Sequence, residues 1–294
     1  MEKRTKTRKT VSQRVTSGTG KRGKTAKHVK KKSAKKHTIR RKQLHISIWS
    51  IAVILAVALV CVFWPYIKSR SKPETGAMIP PGAYSYGIDI SHYQAKIIWD
   101  SLRVMTDARR QTTSSKIHAR DIKPISFVII KATEGAGMKD KRFSRHWNDA
   151  ANHGIRRGAY HFFRSSKDPM QQARLFINTA GEISLNDLPP ILDIETIHKG
   201  CSRKTLNDKA ILWLKAVENH YGRKPMVYSS SSFIIDLLND EVKLNYPIWV
   251  AHYGVEYPRY KNWHIWQFTD KGLVYGIDGF VDLNVCRQET LDIL

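Results

Sequence analysis

Eight short apolar runs recur between residues 84 and 284, and the stretches that separate the first of them read as helices. That order leaves few folds open. The runs are YSYGIDIS (84–91), ISFVIIKA (125–132), RGAYHFF (157–163), PPILDIE (189–195), PMVYSS (225–230), YPIWVAHY (246–253), WHIWQF (263–268) and GFVDLN (279–284). After the second, RFSRHWNDAANHG sets Phe143, Trp147 and Ala151 at four-residue steps and stops on Gly154, a helical period with a helix-ending glycine. DPMQQARLFINTAG opens on Asp-Pro and closes on Gly181, while SRKTLNDKAILWLKAVENHYG and SSFIIDLLND follow the fourth and fifth runs. The last three runs are joined by stretches too short for a crossover helix. Parallel βα units closing into an α/β barrel of about eight strands, with a shorter antiparallel finish, are the simplest arrangement. Between the first two runs, residues 103–124 are polar in their centre; a helix and an exposed insertion are expected there, with a mobile loop around QTTSSK.

In such a barrel the active face gathers at strand ends, so an acid closing an apolar run points to chemistry. Asp89 closes YSYGID, Asp193 and Glu195 close PPILDIE, and Asp282 closes GFVD. Side chains alternate along a strand, so Asp193 and Glu195 share one face. Like charges held that close, and partly buried, keep one carboxyl protonated near neutral pH. A protonated acid beside an ionised one is what cleavage of a glycosidic bond requires. The competing reading is that these acids cap helices or hold structural cations. Aromatic rings at predicted strand ends suit sugar faces. Tyr160, Tyr228, Tyr253 and Trp266 are placed in a groove, with Tyr93 and Gln267 completing the candidate substrate-binding set.

The N-terminal third differs in kind. Residues 1–43 hold 18 of the 50 Lys and Arg and a single acid, Glu2, which leaves the remainder only mildly basic within a net charge of +25. Residues 46–67 carry no charge, and about 22 residues at ~1.5 Å each span the ~30 Å core of a bilayer. Trp49 near one end and Trp64 and Tyr66 near the other suit the headgroup level. A single transmembrane signal anchor is expected there rather than a cleaved signal peptide, because the charged lead is long and apolar residues continue past the Ala56–Ala58 segment. The basic arm, residues 1–45, then reads as a disordered cytoplasmic tail that fixes orientation. It has no aromatic on which a base could stack, so no nucleic acid is expected. Residues 68–83 read as a linker and 84–294 as the outward domain, in the periplasm or cell envelope. Cys201 and Cys286 could pair in such a compartment, although their spacing to histidines suits no metal.

The motifs YGIDISHYQ (86–94), FVIIKATEG (127–135), GAYHFFR (158–164), PPILDIE, YPIWVAHY, and WQF with GFVDLN fall in one order. Together they resemble the lysozymes of glycoside hydrolase family 25, the Chalaropsis-type N-acetylmuramidases, over about 84–290. The resemblance implies a flattened β/α barrel whose last strands lack helices. It implies hydrolysis of the β-1,4 bond between N-acetylmuramic acid and N-acetylglucosamine in peptidoglycan, with retention of configuration and without a metal or organic cofactor. Glu195 matches the family's general acid, and Asp193, Asp89 and Asp282 match its other active-site carboxylates. The attacking atom stays open between Asp89 or Asp282 and the substrate's own 2-acetamido oxygen. Asp193, two residues from Glu195 on one strand, favours the second. Other substrates, such as chitin, and non-catalytic binding of peptidoglycan are the alternatives.

Overall fold

The structure is a computed structural model that describes residues 47–64 and 75–294. It divides into two units, residues 1–71 and 72–294. In the first, α1 (Ser47–Trp64) is an 18-residue helix of mean hydropathy 2.5, none of it buried. The tail expected over 1–45 and residues 68–74 of the expected linker lie outside the described residues.

The second unit runs through β1 (Thr75–Met78), β2 (Ser85–Ile90), β3 (Arg103–Thr106), β4 (Gln111–Thr113), β5 (Asp121–Glu134) and β6 (Met138–Lys139). It continues through α2 (Phe143–Asn152), β7 (Arg156–Phe162), α3 (Pro169–Ala180), β8 (Ile191–Asp193), α4 (Arg203–Tyr221) and β9 (Met226–Ser230). The chain ends with α5 (Ser231–Leu237), α6 (Asp240–Asn245), β10 (Ile248–Ala251), β11 (Ile265–Leu273), β12 (Phe280–Cys286) and α7 (Gln288–Ile293). Local chemistry sets the helix ends. The Asp168 side chain accepts from Gln171 N ahead of Pro169 in α3, Ser202 caps α4 by accepting from Thr205 N, and Gly222 ends α4 at φ 66°.

The barrel closes in the order β2, β5, β7, β8, β9, β10, β11, β12 and back to β2. These are the eight runs read from the sequence. All neighbours are parallel except β12, which runs antiparallel to both β11 and β2. The antiparallel finish is therefore one strand, because β10 and β11 remain parallel although no helix joins them. Strand alternation sorts the core into two layers. Phe127 and Ile129 of β5 pack with Ile191, Met226, Tyr228 and Trp249 inside the barrel. Val128 and Ile130 pack outward with Trp147, Phe176 and Trp213 of the helices. Space inside is tight: a Cβ on Gly87 would lie 2.2 Å from the Phe127 ring.

Three expectations change. Residues 103–124 hold no helix; β3 and β4 pair antiparallel with each other and β3 with the first half of β5, and Thr112 and Thr113 are fully buried rather than in a mobile loop. Within the segment read as linker, β1 pairs with β4, and Ile79 is buried. Gly76 is the reason β1 fits, since a Cβ there would meet Thr112 Oγ1 at 2.4 Å and the Lys271 carbonyl at 2.6 Å. Cys201 and Cys286 are both free, Cys286 being buried inside the barrel, and each donates its thiol to a backbone carbonyl instead of forming a bridge.

Candidate active site

Four carboxylates meet at one end of the barrel. Asp89 sits near the C-terminal end of β2 and Asp193 at the end of β8, with Glu195 two residues beyond. Asp282 belongs near the start of β12, not the end of an apolar run, and reaches the same face because β12 runs the opposite way. Its register partner is Asp89.

Asp89 is buried and its Oδ2 accepts from Asn284 Nδ2 at 2.7 Å and Gln267 Nε2 at 2.9 Å. Burial raises its pKa, against the pull of these two amides. Burial and the Asp89 charge push Asp282 up as well, and the hydrogen bond between the two raises Asp282 while lowering Asp89. The two carboxyls titrate as a pair, both raised above the ordinary carboxylate range. Asp193 is also buried, its Oδ1 has no hydrogen-bond partner, and burial followed by the Glu195 charge holds its pKa well above the carboxylate range. Glu195 is exposed at the rim; partial burial of its carboxyl raises its pKa, while Lys131 and Arg164 draw it down. A rim acid with a raised pKa, above a set of buried carboxyls, can give a proton to a leaving group and stabilise positive charge developing beside it.

Glu195 opens onto a cavity of about 430 Å³ lined also by Tyr228, Ser230, His252, Tyr253 and Arg259. Gln267 ties two of the expected aromatics to the carboxylates: its Oε1 accepts from Tyr228 OH at 2.7 Å and Tyr253 OH at 2.6 Å while its Nε2 serves Asp89. Tyr160 is half-buried with the inner layer, and its hydroxyl is raised by burial and by the neighbouring Asp193 charge. Tyr93 is exposed beyond β2 with its ring 4.2 Å from that of His92. Trp266 does not line the groove. Gln267 faces inward, so Trp266 faces outward; it is fully buried and donates its indole N–H to the His252 carbonyl at 2.9 Å.

Sequence reading missed five contributors. Asn284 bridges Asp89 to the Trp249 indole, whose Nε1 donates to Asn284 Oδ1 at 2.8 Å. Lys131 pairs with Glu134 at 2.7 Å, and Glu134 in turn pairs with Arg164, whose charge also bears on Glu195. Asp140 accepts from His92 N at 3.0 Å and faces its ring at 2.7 Å, fixing the loop after β2. For Asn284, Lys131 and Glu134 the signal lay inside motifs already quoted, as the Asn of GFVDLN and the Lys and Glu of KATEG; Asp140 lies in none of them. Among the described residues no three His, Cys, Asp or Glu side chains are grouped as a metal cage would be.

Residues 88–277 match the family model described as glycosyl hydrolases family 25. An uncharacterised Escherichia coli K12 protein, YegX, is 39% identical over 208 residues, 70% of this chain and 71% of its own. Lysozyme M1 of Streptomyces globisporus is 32% identical over 212 residues, 67% of this chain and 66% of its own. Among solved structures, the bacterial lysozyme from Streptomyces coelicolor superposes with a TM-score of 0.61 at 30% identity, covering 72% of this chain and 98% of that one.

Proposed function

The chain belongs to glycosyl hydrolases family 25, and we propose that it cleaves the β-1,4 bond between N-acetylmuramic acid and N-acetylglucosamine in peptidoglycan. One observation carries the reading: Glu195 stands at the rim of an open groove with a raised pKa while Asp89, Asp193 and Asp282 converge below it. Glu195 protonates the leaving oxygen. Asp193, with an unpartnered oxygen next to it, orients and polarises the substrate's 2-acetamido group, whose oxygen attacks the anomeric carbon and leads to retention. Asp89 supports that choice over direct aspartate attack, since one of its oxygens is committed to two amides. Tyr160, Tyr228, Tyr253 and Gln267 position the sugar rings.

The membrane reading is a second part of the proposal. The α1 helix is apolar enough to cross a bilayer, and the basic arm before it favours a cytoplasmic N-terminus with the catalytic domain in the envelope. Cell fractionation checks it: recovery of the full chain with membranes after a carbonate wash is expected, and recovery in the soluble fraction contradicts it.

The activity is tested by incubating the full chain in detergent with peptidoglycan and with chitin oligomers and identifying the new reducing ends. Muramic acid ends are expected. Glucosamine ends from chitin would move the assignment to that polymer, and no new ends at all would leave a binding protein.

A further inference from the structure

A second cavity, of about 840 Å³, adjoins the catalytic groove and shares Tyr253 with it. One wall is the segment Thr75–Pro81, which precedes the residues 88–277 matched by the family model. The opposite side is made by residues 253–256 and by the facing ends of β11 and β12. The β1 wall is firmly placed, because Gly76 lies so close to Thr112 and the Lys271 carbonyl that no side chain fits between them. Within the sheet, β1 is the terminal strand and among the described residues pairs with β4 alone. One edge of its backbone is therefore left without a strand partner, the arrangement to which extended peptides add.

The side chains around this cavity are of two kinds. Met78 and Phe280 expose apolar surface, at 61% and 44%. Glu256 and Asp270 bring negative charge and Lys271 positive charge to the same cavity. A neutral glycan has no use for charges of both signs, whereas a short extended peptide bearing free carboxylates and an amine does.

We propose that this cavity is a binding site for the stem peptide of the peptidoglycan unit whose glycan occupies the catalytic groove. The assignment rests on the muramidase reading. Continuity through Tyr253 is the geometric link: a chain branching from the sugar held beside Tyr253 enters the second cavity directly. Lys271 faces a stem carboxylate, Glu256 and Asp270 face its amine, and Met78 and Phe280 cover its small apolar side chains. Strand β1 thus makes the enzyme prefer stem-bearing strands over bare glycan.

The test compares the full chain in detergent on two substrates: glycan strands carrying stems, and the same strands stripped by an amidase. The readout is the ratio of kcat/KM values from released reducing ends. At least about a fivefold preference for stem-bearing strands is expected, falling towards one in a Met78→Asp/Phe280→Ser double variant, with Lys271→Glu as an independent single variant that lowers the same ratio. A wild-type ratio of one, or a ratio that the variants leave in place, overturns the assignment. So does a dependence on glycan length alone, which gives the cavity to further saccharides. Release of no ends from either substrate is distinct from these, because it overturns the muramidase reading and the stem assignment with it.

Discussion

Asn284 donates to Asp89 Oδ2 across 2.7 Å, and its own Oδ1 is held by the Trp249 indole at 2.8 Å. The amide is fixed at both ends, so Asp89 is offered a donor that cannot turn away. Replacing Asn284 by Leu leaves the buried Trp249 N–H without its acceptor, about 1–3 kcal/mol, and leaves Asp89 Oδ2 with the Gln267 amide. Turnover is expected to fall at least about tenfold and the melting temperature to drop. Because the lost donor favoured the ionised form, the Asp89 pKa rises further, and the acid limb of the pH–rate profile moves to higher pH. An unmoved limb would argue that Asp89 is not needed as a carboxylate.

Asp193 sets stability against activity. Its folded pKa is raised by burial, so the penalty is absent below the unfolded value near 3.9 and grows as pH climbs towards the folded one. Asp193→Asn is therefore expected to raise the melting temperature at pH 7 and leave it unchanged near pH 3. About 1 kcal/mol corresponds to roughly 2–4 °C in a domain of this size. Turnover is expected to fall about a hundredfold, as when a preorganised polar group at the reacting centre is lost. Thermal melts at the two pH values, beside a rate measurement, check both halves.

Lys131 draws down the pKa of Glu195 from its place beside Glu134. In Lys131→Met, Glu195 keeps its proton to higher pH, so the alkaline limb of kcat moves upward, while Lys131→Arg keeps it in place. A profile that shifts equally in both variants would show packing rather than charge at work.

Gly87 is required by the Phe127 ring, which a Cβ would approach to 2.2 Å. Gly87→Ala is expected to destabilise the domain by about 1–3 kcal/mol through overpacking. Phe127→Leu in the same chain should recover part of that loss in a denaturant titration; a deeper loss would place the strain elsewhere.

The eight barrel strands were legible because their apolar runs were short, evenly bounded by turn residues and separated by helical periods. Direction was not legible. GFVD reads as a run ending in an acid, yet β12 enters from the opposite side and Asp282 lies near its beginning. Face was legible only in pairs: the i, i+2 spacing put Asp193 and Glu195 together, but nothing in WQF said whether Trp266 or Gln267 looked inward until β11 was paired with β12. The β1 strand was invisible, because TGAM carries no strand signature and is held through the close approach at Gly76. Short alternations such as RVMT and QTT were likewise masked by the charged residues between them. Arg110, at φ 63°, makes the turn between β3 and β4 in the left-handed region, which an arginine does not advertise.

Glu195 is the proposed proton donor, and the most direct measurement of that role is the turnover of Glu195→Gln on peptidoglycan, with folding checked by thermal melt. Glutamine keeps the shape at the rim of the groove and cannot give up a proton. Turnover lower by at least about a hundredfold with an unchanged melt is the expected result. Turnover close to that of the unaltered chain would contradict the account and move the general acid to another carboxyl.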